Sequence, residues 1–291
     1  MTTIRTIAVL GAGTMGRGIA HVSALGGYVT RLFDVSGEAR AAALESIHRN
    51  LDKGVARGKV DAEKATAAKA SLSAHGELEA TVGDADLVIE AVPENMKLKT
   101  ETFQDVECLV GEETILASNT SSLSITEMAA STGRPERFAG MHFFNPVHLM
   151  KLVELVRGLE TSETTVATLA EVAVRMGKEV VIIHESPGFV TSRINALIGL
   201  EAFRMLESGV ASAEDIDKAL KLGLNHPMGP FEMVDLVGLD VRLSILEYLH
   251  RTLGDTYRPS NLLVQYVRAG RLGRKVGKGV YVYDEEGNKI G

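Results

Sequence analysis

Cysteine is almost absent. There is one among 291 residues, Cys108, so no disulfide can form within a single chain and nothing in the cysteine count points to secretion. Cys108 falls in the helix-like stretch TETFQDVECLVG without an activating motif around it, which fits a structural side chain better than a nucleophile. Excess positive charge is missing as well. Lys and Arg number 31 against 38 Asp and Glu, a net charge of −7, whereas a chain that tracks nucleic acid needs a basic face. No run of about 18 apolar residues occurs, so no membrane span is expected. The opening MTTIRTIAVLGAG enters a strand directly and lacks the apolar segment and cleavage site of a signal peptide, and the expected location is the cytoplasm. There is no H-E-x-x-H and no thiolate cluster, so no metal site is expected. A G-x-S-x-G elbow and a G-x-x-x-x-G-K-[ST] loop are absent too.

What is present is apolar residues at 45% and charged residues at 24%, a balance that builds a sizeable core, over a length that suits two domains. Residues 4–10, IRTIAVL, form a β-branched apolar run ending at Gly11. A helical pattern then runs from Met15 to Leu25. The apolar YVTRLF ends at Phe33, with Asp34 directly after it. Strand, glycine turn, helix and strand within about 30 residues make a βαβ unit. Gly11, Gly13 and Gly16 stand in it at G-x-G-x-x-G spacing. This loop, with Thr14 and Met15, is a candidate floor for a dinucleotide pyrophosphate. Asp34 lies where a carboxylate accepts from the adenosine ribose hydroxyls and repels a 2′-phosphate, which favours NAD over NADP. A loop aspartate that caps a helix is the plainer alternative.

The alternation continues through strands at 85–92, 114–118, 137–144, 151–158 and 179–184, with helical stretches between most of them. The expected fold is α/β: a Rossmann-like doubly wound parallel sheet over residues 1–185. Two helical stretches between 36 and 72 fit an inserted helical hairpin projecting from the sheet. Its tip carries Lys53, Arg57 and Lys59, read on their own as a solvated charged face. From Ser186 strand signals stop, and 186–291 reads as an all-α C-terminal domain. Its many apolar positions suggest a partner surface, hence a homodimer through that domain.

Ligands bind outside the C-terminal ends of the strands in such a sheet. Glu94, Asn95, Lys99, Asn119, Ser121, Ser122, His142 and Asn145 fall there. A nucleotide cleft so lined suggests a dehydrogenase. An alcohol gives its hydride to nicotinamide and its proton to a base, and histidine suits that base. His142 is the best placed of the eight histidines, although an isolated histidine at a strand end is more often structural.

GAGTMGRGIA, ASNTSSLSIT, GMHFFNPVHLMKLVELV, SPGF, NHPMGP and GRLGRKVGKGVY together resemble the 3-hydroxyacyl-CoA dehydrogenase family, in order and over essentially the whole chain. The likeness is greatest to its short bacterial 3-hydroxybutyryl-CoA members. The resemblance implies His142 as general base, oriented by Glu154 in KLVELV, and Ser121 as a substrate contact. It implies NAD contacts at Asp34, Glu94, Lys99, Asn145 and Lys275, and turns Lys53, Arg57 and Lys59 toward CoA phosphates. One position departs: where the family commonly has asparagine after P-G-F-x-x, this chain has Ser192, with a shorter side chain and one donor in place of two. The resulting expectation is an NAD-dependent enzyme interconverting (S)-3-hydroxyacyl-CoA and 3-oxoacyl-CoA with a short acyl chain. The alternatives are a dehydrogenase of a small free hydroxy acid and a nucleotide-binding sensor without turnover.

Overall fold

The structure is a computed structural model and describes residues 3–290. The chain divides into two compact units, 1–186 and 187–291.

The first unit holds one sheet of eight strands: β1 (Thr6–Leu10), β2 (Val29–Phe33), β3 (Leu72–His75), β4 (Leu87–Glu90), β5 (Ile115–Ser118), β6 (Phe138–Phe143), β7 (Leu152–Arg157) and β8 (Glu179–His184). Their order is β3-β2-β1-β4-β5-β6-β7-β8. The chain leaves β1 for β2 on one side and later returns to β4 on the other, so a crevice opens at the end of β1, where the glycine loop sits. β1, β4, β5 and β6 are buried almost throughout, because helices cover both faces of the sheet: α1 (Thr14–Leu25), α2 (Gly37–Ala56), α3 (Ala62–Ala70), α4 (Leu78–Val82), α5 (Met96–Glu107), α6 (Ile125–Ala130) and α7 (Glu163–Arg175).

Three features differ from the sequence reading. The sheet is not wholly parallel, since β7 runs antiparallel to β6, and β8 follows β7. The segment from Phe144 to Lys151 is too short for a helical crossover and closes a hairpin instead. The pair α2 and α3 does not project from the sheet. It is the crossover to β3, and Ala43, Ile47, Leu51, Ala65 and Ala68 enter the main core. β3 itself carries no apolar run because it is a half-buried edge strand of four residues.

The second unit is helical: α8 (Thr191–Glu207), α9 (Ala213–Gly223), α10 (Pro230–Val237), α11 (Leu239–Leu253) and α12 (Asn261–Arg268). Leu200, Phe203, Phe231, Val234, Leu246 and Leu249 form its core. Gly238, at φ 106°, divides α10 from α11. The tail beyond α12 adds isolated β-bridges, so the unit is not purely α. No helix among the described residues is long and apolar enough to cross a membrane.

Candidate active site

The glycine loop owes its shape to backbone contacts. Gly11 has φ 101°, and its N–H donates to the Phe33 carbonyl at 2.8 Å. A Cβ on Gly16 would lie 1.7 Å from the Gly11 carbonyl oxygen, so only glycine lets α1 start so close to the loop. Gly13 differs: a Cβ there meets nothing within 4 Å. α1 has no side-chain cap and no acid in its first turn, which leaves its first amides, beside Thr14 and Met15, for an anion. Asp34 follows β2 and joins the same loop. One carboxylate oxygen accepts from Ala12 N at 2.8 Å and the other from Ser36 N at 2.9 Å. Each oxygen keeps a further lone pair for a ribose hydroxyl. These residues fit a dinucleotide.

At the ends of β4 and β5 lies a buried ionic network. Glu90 and Lys99 are both sequestered and meet at 2.7 Å. The Lys99 ammonium also reaches Val92 O and Glu94 Oε2, both at 3.3 Å. Its three donors are thus engaged by protein acceptors. Ser118 Oγ donates to the second Glu90 oxygen at 2.6 Å. Burial pushes the Glu90 carboxyl up, against the opposing pull of Lys99. Burial acts in the same direction on Glu94, but there Lys99, Thr120 and Ser121 outweigh it and hold the carboxyl down. Glu94 Oε1 accepts from Thr120 Oγ1 at 2.6 Å, Ser121 N at 3.0 Å and Ser121 Oγ at 3.3 Å. The network therefore fixes the Ser121 turn. Asn119 braces it from the other side, its Oδ1 accepting from Phe143 N at 2.9 Å, which ties β5 to the end of β6.

His142 and Glu154 are directly opposite each other in the β6–β7 register, where side chains on one face stand close enough to touch. Nδ1 lies 2.7 Å from Glu154 Oε2, and both residues are buried. The Phe144 ring packs against the imidazole, with centroids 4.4 Å apart. The antiparallel turn that departs from a parallel sheet is thus what creates this pair. Asn145 follows at the exposed rim.

The remaining predicted residues belong to other elements. Lys53, Arg57 and Lys59 are all exposed, around the end of α2 and the turn into α3. Ser192 and Lys275 belong to the second unit. Ser192 is half-buried in the first turn of α8. Lys275 Nζ meets both Asp240 oxygens at 2.6 Å. Burial pushes the Asp240 carboxyl up, but Lys275 helps to hold it down. The tail bearing Lys275 is clamped by buried Asp235, which accepts from Val280 N, Tyr281 N and Tyr283 OH at 2.8–2.9 Å. Gly279 is required there, because a Cβ would lie 1.9 Å from Asp235 Oδ1. Glu90 and Asp235 carry no motif of their own in the sequence and emerge only from these contacts, as do the roles of Ser118 and Thr120 inside ASNTSSLSIT.

A switch-point glycine loop, a strand-end carboxylate and a histidine–glutamate pair in one sheet define a nucleotide-dependent oxidoreductase with an appended helical domain. Residues 6–186 match the NAD binding domain of 3-hydroxyacyl-CoA dehydrogenase, and residues 188–283 match its C-terminal domain. The chain belongs to the 3-hydroxyacyl-CoA dehydrogenase family, whose members use NAD. It is 46% identical over 285 residues to the 3-hydroxybutyryl-CoA dehydrogenase of Clostridioides difficile, covering 96% of this chain and 99% of that one. It is 45% identical to the protein of the same name from Bradyrhizobium diazoefficiens, covering 96% of each. The crystal structure of (S)-3-hydroxybutyryl-CoA dehydrogenase from Ralstonia eutropha superposes with a TM-score of 0.94 at 43% identity, over 97% of this chain and 100% of that one.

Proposed function

We propose that this NAD-dependent dehydrogenase interconverts (S)-3-hydroxybutyryl-CoA and acetoacetyl-CoA. The observation that carries the reading is the 2.7 Å contact of His142 Nδ1 with buried Glu154 at the rim of the nucleotide crevice. Glu154 holds the Nδ1–H tautomer, which assigns the proton transfer to Nε2. In oxidation His142 takes the proton of the 3-hydroxyl, and Glu154 stabilises the imidazolium that results. In reduction the imidazolium returns that proton to the 3-oxo group. NAD, when bound, supplies the acceptor for the hydride, and NADH its donor. Ser121, held by Glu94, binds the reacting oxygen. Ser192, on α8, has a single hydroxyl donor where the family commonly has asparagine. Asp34 and Asn145 hold the cofactor together with the glycine loop. Lys99 acts on it through Glu94, since its own donors are engaged. Lys53, Arg57 and Lys59 form the outer contact for CoA phosphates. The cytoplasm, with its pools of acyl-CoA and NAD(H), is the compartment that suits this chemistry. The helical unit joins two copies in a homodimer, supported by exposed Val210, Leu222 and Leu224 on its surface.

The test is oxidation of NADH by acetoacetyl-CoA. The wild-type chain turns over. His142→Gln loses about 10²–10⁴ in kcat, the usual worth of a positioned acid–base group, with its Kd for NADH near wild type. A His142→Gln variant with unimpaired kcat removes the assignment.

A further inference from the structure

Glu90 is fully buried at the end of β4, yet the proton transfer proposed above makes no use of it. A buried carboxylate is costly unless it is paired and hydrogen-bonded, and here both oxygens are engaged. Oε1 accepts from the Lys99 ammonium at 2.7 Å and from Val92 N at 2.6 Å, and Oε2 accepts from Ser118 Oγ at 2.6 Å. These partners come from α5, from the segment after β4 and from β5, so one side chain joins three parts of the crevice wall. Lys99 in turn stands between two acids. Among the described residues it is the only cation paired with Glu90 or with Glu94, so two carboxylates share one ammonium. The sharing is unequal, 2.7 Å to Glu90 against 3.3 Å to Glu94 Oε2. That inequality leaves Glu94 Oε1 to the serine turn, where Thr120 Oγ1 and Ser121 N donate to it. Thr120 Oγ1 itself accepts from Ser122 N at 3.3 Å and Leu123 N at 2.9 Å. The amides of Ser121, Ser122 and Leu123 thus all depend on where Glu94 stands. Without the charge on Glu90, the buried ammonium has one counter-ion left and closes on it. Glu94 is then drawn toward Lys99 and away from Ser121.

We propose that Glu90 is a positioning residue for Ser121: it holds Lys99 back, and so leaves Glu94 to orient the serine turn. Its effect on turnover rests on the role given to Ser121 in the function proposed above. Its effect on the turn does not. Glu90→Gln isolates the charge, because the carboxamide oxygen still accepts from Val92 N and the amide NH2 donates to Ser118 Oγ.

Hydrogen exchange of the full chain, read by mass spectrometry without cofactor or substrate, tests the turn. Peptides covering residues 120–123 should exchange about ten-fold or more faster in Glu90→Gln than in wild type, while peptides from buried β6 exchange alike in both. Unchanged exchange at 120–123 overturns the proposal. Equal acceleration in β6 also overturns it, since that is general loosening. Oxidation of NADH by acetoacetyl-CoA gives the second readout. Glu90→Gln lowers kcat about 10- to 100-fold, the usual effect of a misplaced group. In a Ser121→Ala background the same substitution lowers kcat by less than about two-fold, because the hydroxyl that Glu90 positions is gone. Equal losses in the two backgrounds overturn the proposal. Glu90→Asp keeps the charge but draws the carboxylate back from Lys99. It moves both readouts in the same directions and carries the test if Glu90→Gln does not fold. A wild-type chain that fails to oxidise NADH defeats the dehydrogenase reading alone, and the exchange experiment still decides the role of Glu90.

Discussion

His21 is 4% exposed, and burial, followed by His148 and Lys178, pushes its imidazole down from 6.5 to about 4. The unfolded chain therefore binds a proton at this residue between pH 6.5 and 4, while the folded chain does not. Stability rises with pH wherever the unfolded state holds more protons. This residue thus adds no penalty above pH 6.5, a growing one as pH falls, and a constant one below pH 4. At about 1.4 kcal/mol per unit the full penalty is about 3 kcal/mol. Urea unfolding in phosphate-free buffer at pH 7 and pH 4 checks it: wild type should lose about 3 kcal/mol more than His21→Gln. Parallel losses in the two proteins would show that His21 is not held neutral. Single residues of this kind were poorly legible in the sequence. His142 was visible as the histidine at a strand end, and Glu154 only through the family motif around it. Glu90 was hidden, because one acid inside ADLVIEAV looks like any strand residue. Its partners Lys99 and Ser118 lie 9 and 28 positions away, and no short-range pattern links them.

At the scale of elements, the three glycines of the first loop have separable tasks. Gly16→Ala forces a Cβ into the Gly11 carbonyl, an overpacking that typically costs about 1–3 kcal/mol. It should lower the melting temperature. Gly13 has φ −65° and ψ −171°, ordinary extended backbone for any residue, and open space where a Cβ would go. Gly13→Ala should therefore melt like wild type yet bind NADH about ten-fold or more weakly, because the added methyl occupies the approach of the pyrophosphate. Calorimetry and fluorescence titration separate the two effects. A Gly13→Ala protein that binds NADH normally removes this loop from the cofactor site. The βαβ unit was readable because its signals are local: an apolar run, a glycine spacing, a second apolar run. The reversal at β7 was not. Strands buried on both faces look alike whichever way they run, and only the brevity of the 144–151 connection distinguishes a hairpin from a crossover. The pair α2 and α3 misled for a related reason, since α3 is seated in the core by Ala65 and Ala68, which carry almost no hydrophobic signal.

For the whole molecule, the division into a sheet unit and a helical unit was legible because strand patterns end abruptly at Ser186. Assembly was not, since apolar positions facing a partner and apolar positions facing a core have the same spacing. On the helical unit Leu222, Leu224 and Val210 are 77%, 66% and 67% exposed, and they are the apolar side chains on which the dimer reading rests. Sedimentation equilibrium should give twice the 31.2 kDa chain mass. Leu222→Glu combined with Leu224→Glu should shift the protein toward the single-chain mass, because two carboxylates resist burial. A wild-type protein that sediments as one chain ends the dimer reading.

The hairpin that carries His142 and Glu154 has a further consequence, in the order of assembly. The two residues are 12 positions apart, so their encounter requires closure of a short loop, and the entropy of closure grows with loop length. The partners of the glycine loop, by contrast, come from distant parts of the chain: Gly11 backs on Ala91, 80 positions away. The acid–base pair is thus a local contact in a molecule whose cofactor cradle is non-local, and local contacts form early and at small cost. β6 and β7 also lie inside the sheet, paired on both sides, where opening approaches global unfolding. A partly unfolded chain that keeps this hairpin keeps its oriented base.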